Sequence, residues 1–197
     1  MKKVSIIPIV FCLILTGCSY LLNSTNKAFE DEFKNTKTYT IEQTLRPIEF
    51  NSKVSSAILT FSRTITDSGE SVKVYFIIAR STSSFKVDKK GFMKANGSKF
   101  EFISEPEASE YKSIQESSTT TTTTKDSSSV KTTYNTDVKN TNWYDDKLVV
   151  QLTPDMVKSV LQTDELLYRF YFGPEQVSFR LKGFTLQRVK KLFENKL

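Results

Sequence analysis

The chain has 197 residues, and its 28 Lys and Arg against 22 Asp and Glu give a formal net charge of +6. This length fits one domain with an N-terminal extension. Histidine is absent and the only cysteines are Cys12 and Cys18, which excludes Ser-His and Cys-His catalysis, His- or Cys-based metal sites and a disulfide framework.

The N-terminal segment has the organisation of an export signal. Lys2 and Lys3 precede an apolar run over residues 4–15. This run is too short to cross a bilayer, because a spanning helix needs about 20 apolar residues. A basic start, a short apolar stretch and small residues at its end are typical of a secretory signal peptide. We therefore expect residues 1–17 to be removed from the mature protein.

The end of this segment, Leu15-Thr16-Gly17-Cys18, resembles the lipobox of bacterial lipoproteins. The resemblance implies that a peptidase cuts between Gly17 and Cys18. It also implies that Cys18 carries a diacylglyceryl group and a further acyl chain of the palmitate type, so that lipid joins the protein to the membrane. In enteric bacteria an Asp after the cysteine favours the inner membrane; Ser19 stands there, which favours the outer membrane.

Residues 18–36 are predicted to form a lipidated tether that ends in a short helix. Phe29 and Phe33 stand four residues apart, which is the spacing of neighbours on one helix face. This spacing predicts one or two helical turns over residues 27–34.

From Tyr39 onward the apolar residues alternate with polar ones, as in strands. Pro47 interrupts the first strand, and residues 72–79 are apolar on both faces, which predicts a central strand covered on both sides. Asn96-Gly97 predicts the tip of a hairpin over residues 92–102, because both turn residues must adopt positive φ.

Residues 105–110 are acidic and are predicted to form a loop. They are followed by a Ser/Thr-rich stretch over residues 117–129 that includes six consecutive threonines. We interpret this stretch as a low-complexity loop. The alternative is the end of a long polar hairpin, because Thr favours strands.

The last third predicts the order β-α-β-β-α. Thr153 and Pro154 are typical of a helix start, and Thr185 is predicted to cap the last helix. Alternating apolar residues predict two strands between these helices. The last helix carries a heptad-like apolar stripe, formed by Leu186, Val189, Leu192 and Phe193.

These elements predict an α+β fold over residues 37–197. In this interpretation one antiparallel sheet of about seven to nine strands carries the helices on one face, with the C-terminal β-α-β-β-α unit as its last part. A β-sandwich with peripheral helices is the alternative.

Candidate catalytic groups do not form a pattern. Ser83-x-x-Lys86 and Ser128-x-x-Lys131 match the serine–lysine spacing of penicillin-recognising enzymes, but neither lies in a helical pattern. Six acidic residues could serve a hydrolase, and most of them lie in predicted loops (Glu101, Glu105, Glu107, Glu110, Asp145 and Asp146). The sequence therefore predicts no catalytic residues, no metal site, no cofactor and no enzymatic activity.

Trp143 and Tyr144 are the candidate partner contact, because exposed aromatic residues suit protein or carbohydrate surfaces. Packing at the edge of the core is the structural alternative for both. The sequence thus predicts a lipid-anchored cell-envelope protein with a non-catalytic binding, assembly or structural role and an envelope protein or glycan as partner. A carrier of an apolar ligand and a carboxylate-dependent hydrolase are the alternatives. Nucleic acid is not an expected partner, since the net charge is small.

Overall fold

The computed structural model describes residues 26–32, 34–126 and 129–194 of the chain. Ten strands and two helices occur in these residues. The first six strands are β1 (Asn26–Asp31), β2 (Thr36–Leu45), β3 (Val54–Thr66), β4 (Gly69–Ser81), β5 (Lys90–Ala95) and β6 (Ser98–Ile103). The remaining elements are β7 (Glu105–Asp126), β8 (Ser129–Leu152), α1 (Pro154–Gln162), β9 (Glu165–Phe172), β10 (Glu175–Lys182) and α2 (Gly183–Phe193).

The strands form two antiparallel sheets. Sheet A has the order β1-β2-β3-β4-β8-β7, and sheet B has the order β10-β9-β5-β6. An isolated bridge between Pro47 and Phe179 connects the segment after β2 to strand β10. The chain therefore leaves sheet A after β4, returns to it through β7 and β8, and completes sheet B last.

Aromatic side chains fill the space between the two sheets. Phe76 of sheet A contacts Phe170 and Tyr168 of sheet B, with ring centroids 4.9 and 5.1 Å apart. Both contacts are edge-to-face, the arrangement that the charge distribution of aromatic rings favours. Phe76, Tyr168 and Phe170 are all fully buried. Burial of such large rings is the main source of stability in a domain of this kind.

Both helices contribute to this core. Helix α1 begins where the sequence predicts, and the Thr153 hydroxyl accepts a hydrogen bond from the Met156 amide. In helix α2 the predicted apolar stripe is buried, and Phe193 meets Phe61 of β3 edge-on at 6.2 Å. Arg63 donates to the carbonyl of Leu192 at 3.3 Å, which joins β3 to the end of α2.

The predicted α+β class with one sheet is wrong, whereas the bounds of the single domain over residues 37–197 stay a prediction. Most of the described residues are in strands, and the strands form two sheets instead of one. The sandwich with peripheral helices does not describe the molecule either, because α2 buries Leu186, Val189, Leu192 and Phe193 in the core. Alternation within each strand predicted the strands correctly, but it contains no information about which sheet a strand joins.

Three local predictions are also wrong. Residues 27–31 belong to β1, which pairs with β2, where a short helix was predicted; pairing satisfies the backbone groups that one or two isolated helical turns would leave open. The acidic residues 105–110 begin β7 and do not form a loop. Helix α2 begins at Gly183 after Lys182, so Thr185 lies within its first turn and does not cap it.

Two other local predictions are confirmed, the second of them in part. Strands β5 and β6 form the predicted hairpin, and Asn96 and Gly97 have φ values of 47° and 75°. Strand β4 is central in sheet A, between β3 and β8. Its second face, with Tyr75, Ile77 and Ala79, is half-buried, so the predicted cover on both sides is incomplete.

Tyr168→Phe should stabilise the protein. The Tyr168 ring is fully buried and its hydroxyl has no hydrogen-bond partner, so burial raises its pKa far above the ordinary range. Removal of an unsatisfied buried polar group should raise the free energy of unfolding by about 1–3 kcal/mol. Urea unfolding measures this change, with Tyr75→Phe on the half-buried face of β4 as the neutral control. A loss of stability in Tyr168→Phe would contradict the prediction.

Candidate partner-binding arm

Strands β7 and β8 extend far beyond the rest of sheet A. The pairing of β8 with β4 ends at Trp143 and Ser81, whereas its pairing with β7 continues to the far end of both strands. Residues 113–126 and 129–142 thus form a two-stranded ribbon, which we call the arm. About 14 residues on each side, at about 3.3 Å per residue, make it about 45 Å long.

The Ser/Thr-rich stretch lies in the arm. Residues 119–124, which we predicted to be a loop, pair in strand β7 with β8, as in the long polar hairpin left open as the alternative. Hydroxyl and amide side chains connect opposite positions: Thr119 and Thr136 lie 3.2 Å apart between their hydroxyl oxygens, and Ser113 donates to Asn142 at 2.8 Å. The high strand propensity of Thr and this cross-strand bonding explain why the stretch is extended.

The arm buries almost nothing. Every side chain described in it, at residues 113–123 and 132–142, is exposed. Residues 113–142 contain three lysines and three acidic residues, so the arm has no net charge. The arm therefore buries little apolar area and contributes little to the stability of the domain.

One face of the arm carries its exposed aromatic residue. Tyr134, Val138 and Tyr144 occupy even positions of β8, so they share a face with Leu148, which is buried in the core. Tyr134 is 70% exposed and Val138 is 54% exposed. The face of β8 that packs in the core thus continues into the arm, where no element of the described chain covers it.

A buried ion pair lies where the arm leaves the core. The Arg80 Nε atom donates to Asp146 at 2.6 Å, and Arg80 and Asp146 side chains are 8% and 1% exposed. Ser109 of β7 also donates to Asp146, at 2.5 Å, so one carboxylate joins β4, β7 and β8. The Arg80 guanidinium lies over the Tyr144 ring, 4.5 Å from its centroid. These contacts fix the direction in which the arm begins.

A second charged group lies on the other side of the arm base. Glu110 accepts hydrogen bonds from Lys112, at 2.8 Å, and from Lys147. These bonds, with that of Lys112 the larger, lower the pKa of Glu110 to about 2, and the carboxylate in turn raises the pKa of Lys112. Both groups therefore stay charged at any physiological pH.

The structure places the two predicted contact residues at the arm base, on opposite faces. Tyr144 meets Tyr111 edge-on at 5.5 Å, and Trp143 donates its indole N–H to Asp145 at 2.9 Å. Both side chains are half-buried, so they pack at the edge of the core and still offer part of their surface to a partner. Sequence reasoning did not identify Tyr134 and Val138, although their even spacing with Tyr144 was a usable signal.

The acidic residues named from the sequence do not form one site. Glu101 lies on β6 in a bond with Lys90, and Glu110, Asp145 and Asp146 are held by the separate partners already described. Glu105 and Glu107 lie at the start of β7, beside the irregularity in its pairing with β8. No group of three or more acidic or cysteine side chains in the described ranges is arranged to hold a metal ion.

The remaining candidates from the sequence are the serines of the two Ser-x-x-Lys motifs and the residues of the predicted lipobox. Ser83 lies in a turn after β4, away from both helices, and Ser128 lies outside the described residues. Gly17 and Cys18 also lie outside them, so the signal cleavage and the lipid attachment stay predictions. Neither α1 nor α2 is long and apolar enough to cross a membrane, as judged over the described part of the chain.

Comparisons of the chain with protein-family models, with curated proteins and with solved structures find no match.

Asp146→Asn should destabilise the protein by about 3–5 kcal/mol, because it leaves the buried charge of Arg80 without a counter-charge. Urea unfolding measures the loss. The matched control is Glu101→Gln, which breaks the exposed pair with Lys90 and should cost about 0–1 kcal/mol. Equal effects of the two substitutions would show that the Arg80–Asp146 pair has no special role at the arm base.

Proposed function

We propose that this chain is a lipid-anchored cell-envelope protein with a non-catalytic role in binding or assembly, and that the arm is its contact surface. The observation that carries the proposal is the arm itself, a regular ribbon about 45 Å long at about 3.3 Å per residue that buries no described side chain. Ordering so many residues costs conformational entropy that no core contact of the arm offsets. A partner that covers the arm would offset it.

The backbone of the arm supports contact with an extended segment of a protein. Beyond Ser113 and Asn142 each arm strand pairs only with the other, so both outer edges present unpaired N–H and C=O groups. Such edges are sites for the addition of a strand from another chain. Residues 117–124 lack any charge, which elsewhere protects edge strands from pairing.

The side chains of the arm add a preferred face. Tyr134 and Val138 lie on one face, and large exposed apolar groups of this kind are the anchors of many protein interfaces. The Arg80–Asp146 pair and the Tyr111–Tyr144 contact give the arm a fixed root. A partner would therefore meet an arm whose root is already fixed, which lowers the entropy cost of binding.

The lipid on Cys18 is the proposed anchor. It would hold the domain at the membrane, with the outer membrane as the favoured location, and leave the arm free to reach a partner in the envelope. Several acyl chains on one residue bind a bilayer firmly, since each buried CH₂ contributes about 0.8 kcal/mol.

Photocrosslinking should reveal the contact face. A benzoylphenylalanine at position 134 in living cells should form a protein adduct, whereas the same group at position 135, on the opposite face, should form little. The position-135 variant is the matched control, because the two sites differ only in the direction of the side chain. Equal adducts at both positions, or none at 134, would exclude this face as the contact.

Removal of the arm should leave the core intact. In this variant Asn-Gly replaces residues 116–139 and joins Gln115 to Asn140, which are directly opposite each other. The thermal midpoint should stay within about 2 °C of the parent, because little apolar area is lost. The adduct partner should no longer co-purify with the variant. A large drop in midpoint would instead assign the arm a role in stability.

Cys18→Ala should leave an uncut precursor without lipid. Metabolic labelling with an alkynyl fatty acid and electrophoretic mobility measure the two steps. Cys12→Ala, within the expected signal, is the control and should be processed normally. Normal cleavage and labelling of Cys18→Ala would refute the lipoprotein proposal while leaving the arm experiments valid.

A further inference from the structure

The outer face of sheet B carries a concavity lined with cations and aromatic rings. It has a volume of about 230 Å³ and is lined by Phe92, Lys94, Lys99, Leu167, Arg169 and Tyr171. We call these six residues the basic groove. It lies on the opposite sheet from the arm and does not depend on it.

The charges in the groove are all of one sign. Lys94 and Lys99 are directly opposite each other on β5 and β6. Like charges in directly opposite positions of a sheet destabilise it. Among the described residues no carboxylate lies within salt-bridge distance of Lys94, Lys99 or Arg169. The nearest acid along β6, Glu101, is already bound by Lys90 at 2.8 Å.

Two of these cations are held by neighbouring side chains, Lys99 by an aromatic ring and Arg169 by a hydroxyl group. The Lys99 ammonium lies over the Phe92 ring, 3.9 Å from its centroid. Phe92 in turn meets Tyr171 edge-on at 6.0 Å, and Arg169 donates from Nε to the Ser178 hydroxyl at 3.1 Å. The two terminal nitrogens of Arg169 accordingly remain for a ligand, and their fork suits a phosphate or carboxylate.

The groove continues into a second concavity. This neighbour has a volume of about 550 Å³ and shares Lys94, Leu167 and Arg169 with the groove. Its floor is mixed in charge, because it also contains Arg180, Glu49 and Glu165. The groove itself is smaller than a site for a drug-sized molecule, which is at least about 300 Å³. The two concavities together therefore fit a chain of small chemical units, one of which is anionic and occupies the basic groove.

We propose that the basic groove binds an anionic glycan. Lys94, Lys99 and Arg169 hold a phosphate or carboxylate of one sugar unit, Tyr171 and Leu167 pack against the apolar face of its ring, and the chain continues into the neighbouring concavity. A flat membrane surface fits this site less well, because the cations line a concavity together with aromatic rings.

The experiment is a calorimetric titration of the full chain in nonionic detergent. The probes are a phosphorylated mannan, polygalacturonate and, as the neutral control, unmodified mannan. Binding is expected to one or both anionic glycans and not to neutral mannan. It should weaken as salt rises, since exposed charges are screened.

Lys94→Gln/Lys99→Gln tests the groove directly. Loss of two charge-assisted contacts should weaken glycan binding at least about tenfold. The thermal midpoint should be unchanged or higher, because two opposed like charges are removed. The matched control is Lys86→Gln/Lys158→Gln, which changes the net charge equally at two exposed positions outside the groove and should bind as the parent does.

Several results would overturn the proposal. The first is an equal loss of glycan affinity in the two double variants. The second is an affinity for neutral mannan equal to that for the anionic glycans, and the third is no binding of either anionic glycan. Micelles doped with phosphatidylglycerol test the other source of anionic groups, and binding to them alone, without glycan binding, would assign the groove to the membrane and refute the glycan. None of these outcomes bears on the arm, so the two proposals fail independently.

Discussion

Strand β8 pairs with two neighbours over its second half and with one over its first half, and the rest of the architecture depends on this difference. Where β4 and β7 flank it, alternate side chains such as Asp146 and Leu148 are buried. Where β4 has ended, side chains on the same face of β8, such as Val138, are exposed to solvent. A hydrogen-bond ladder with β7, regular from Ala108 to Asp126, thus connects a packed core to an arm that has no core of its own.

A buried ion pair lies where β8 passes from the packed core to the arm. Asp146 is the first fully buried position of β8 after the arm, and it is charged. Arg80 neutralises it, and Arg80 in turn reaches the Ser84 carbonyl and the Tyr144 ring. A buried pair of this kind adds little net stability compared with apolar residues, but it defines one arrangement of the strands it joins. We infer that its use here is to fix the root of the arm.

The two proposed surfaces differ in physical character because they lie on different sheets. The arm has no net charge and offers backbone groups and a few apolar side chains, which suits an extended protein segment. The basic groove offers cations without counter-charges beside aromatic rings, which suits an anionic sugar. A lipid-anchored protein with both would join a glycan and a protein near the membrane without any chemical step.

The sequence by itself determined the local elements whose signals lie within a few residues. Asn96-Gly97 specified a hairpin tip, Thr153-Pro154 specified a helix start, and alternation located the buried faces of β9 and β10. These signals depend on dihedral angles and on side-chain direction, which neighbouring residues fix. The lipobox is likewise local, and its outcome lies outside the described residues.

Only the tertiary structure decided how these elements combine. Residues 27–31 became a strand because β2 offered them a hydrogen-bonding edge, and residues 119–124 became a strand because β8 ran alongside. The basic groove brings Lys94 and Lys99 of one hairpin against Arg169, which is distant in the sequence. Period-two alternation shows which side chains share a face of a strand, but not which strand lies beside it, because the choice of neighbour depends on the packing of the whole chain.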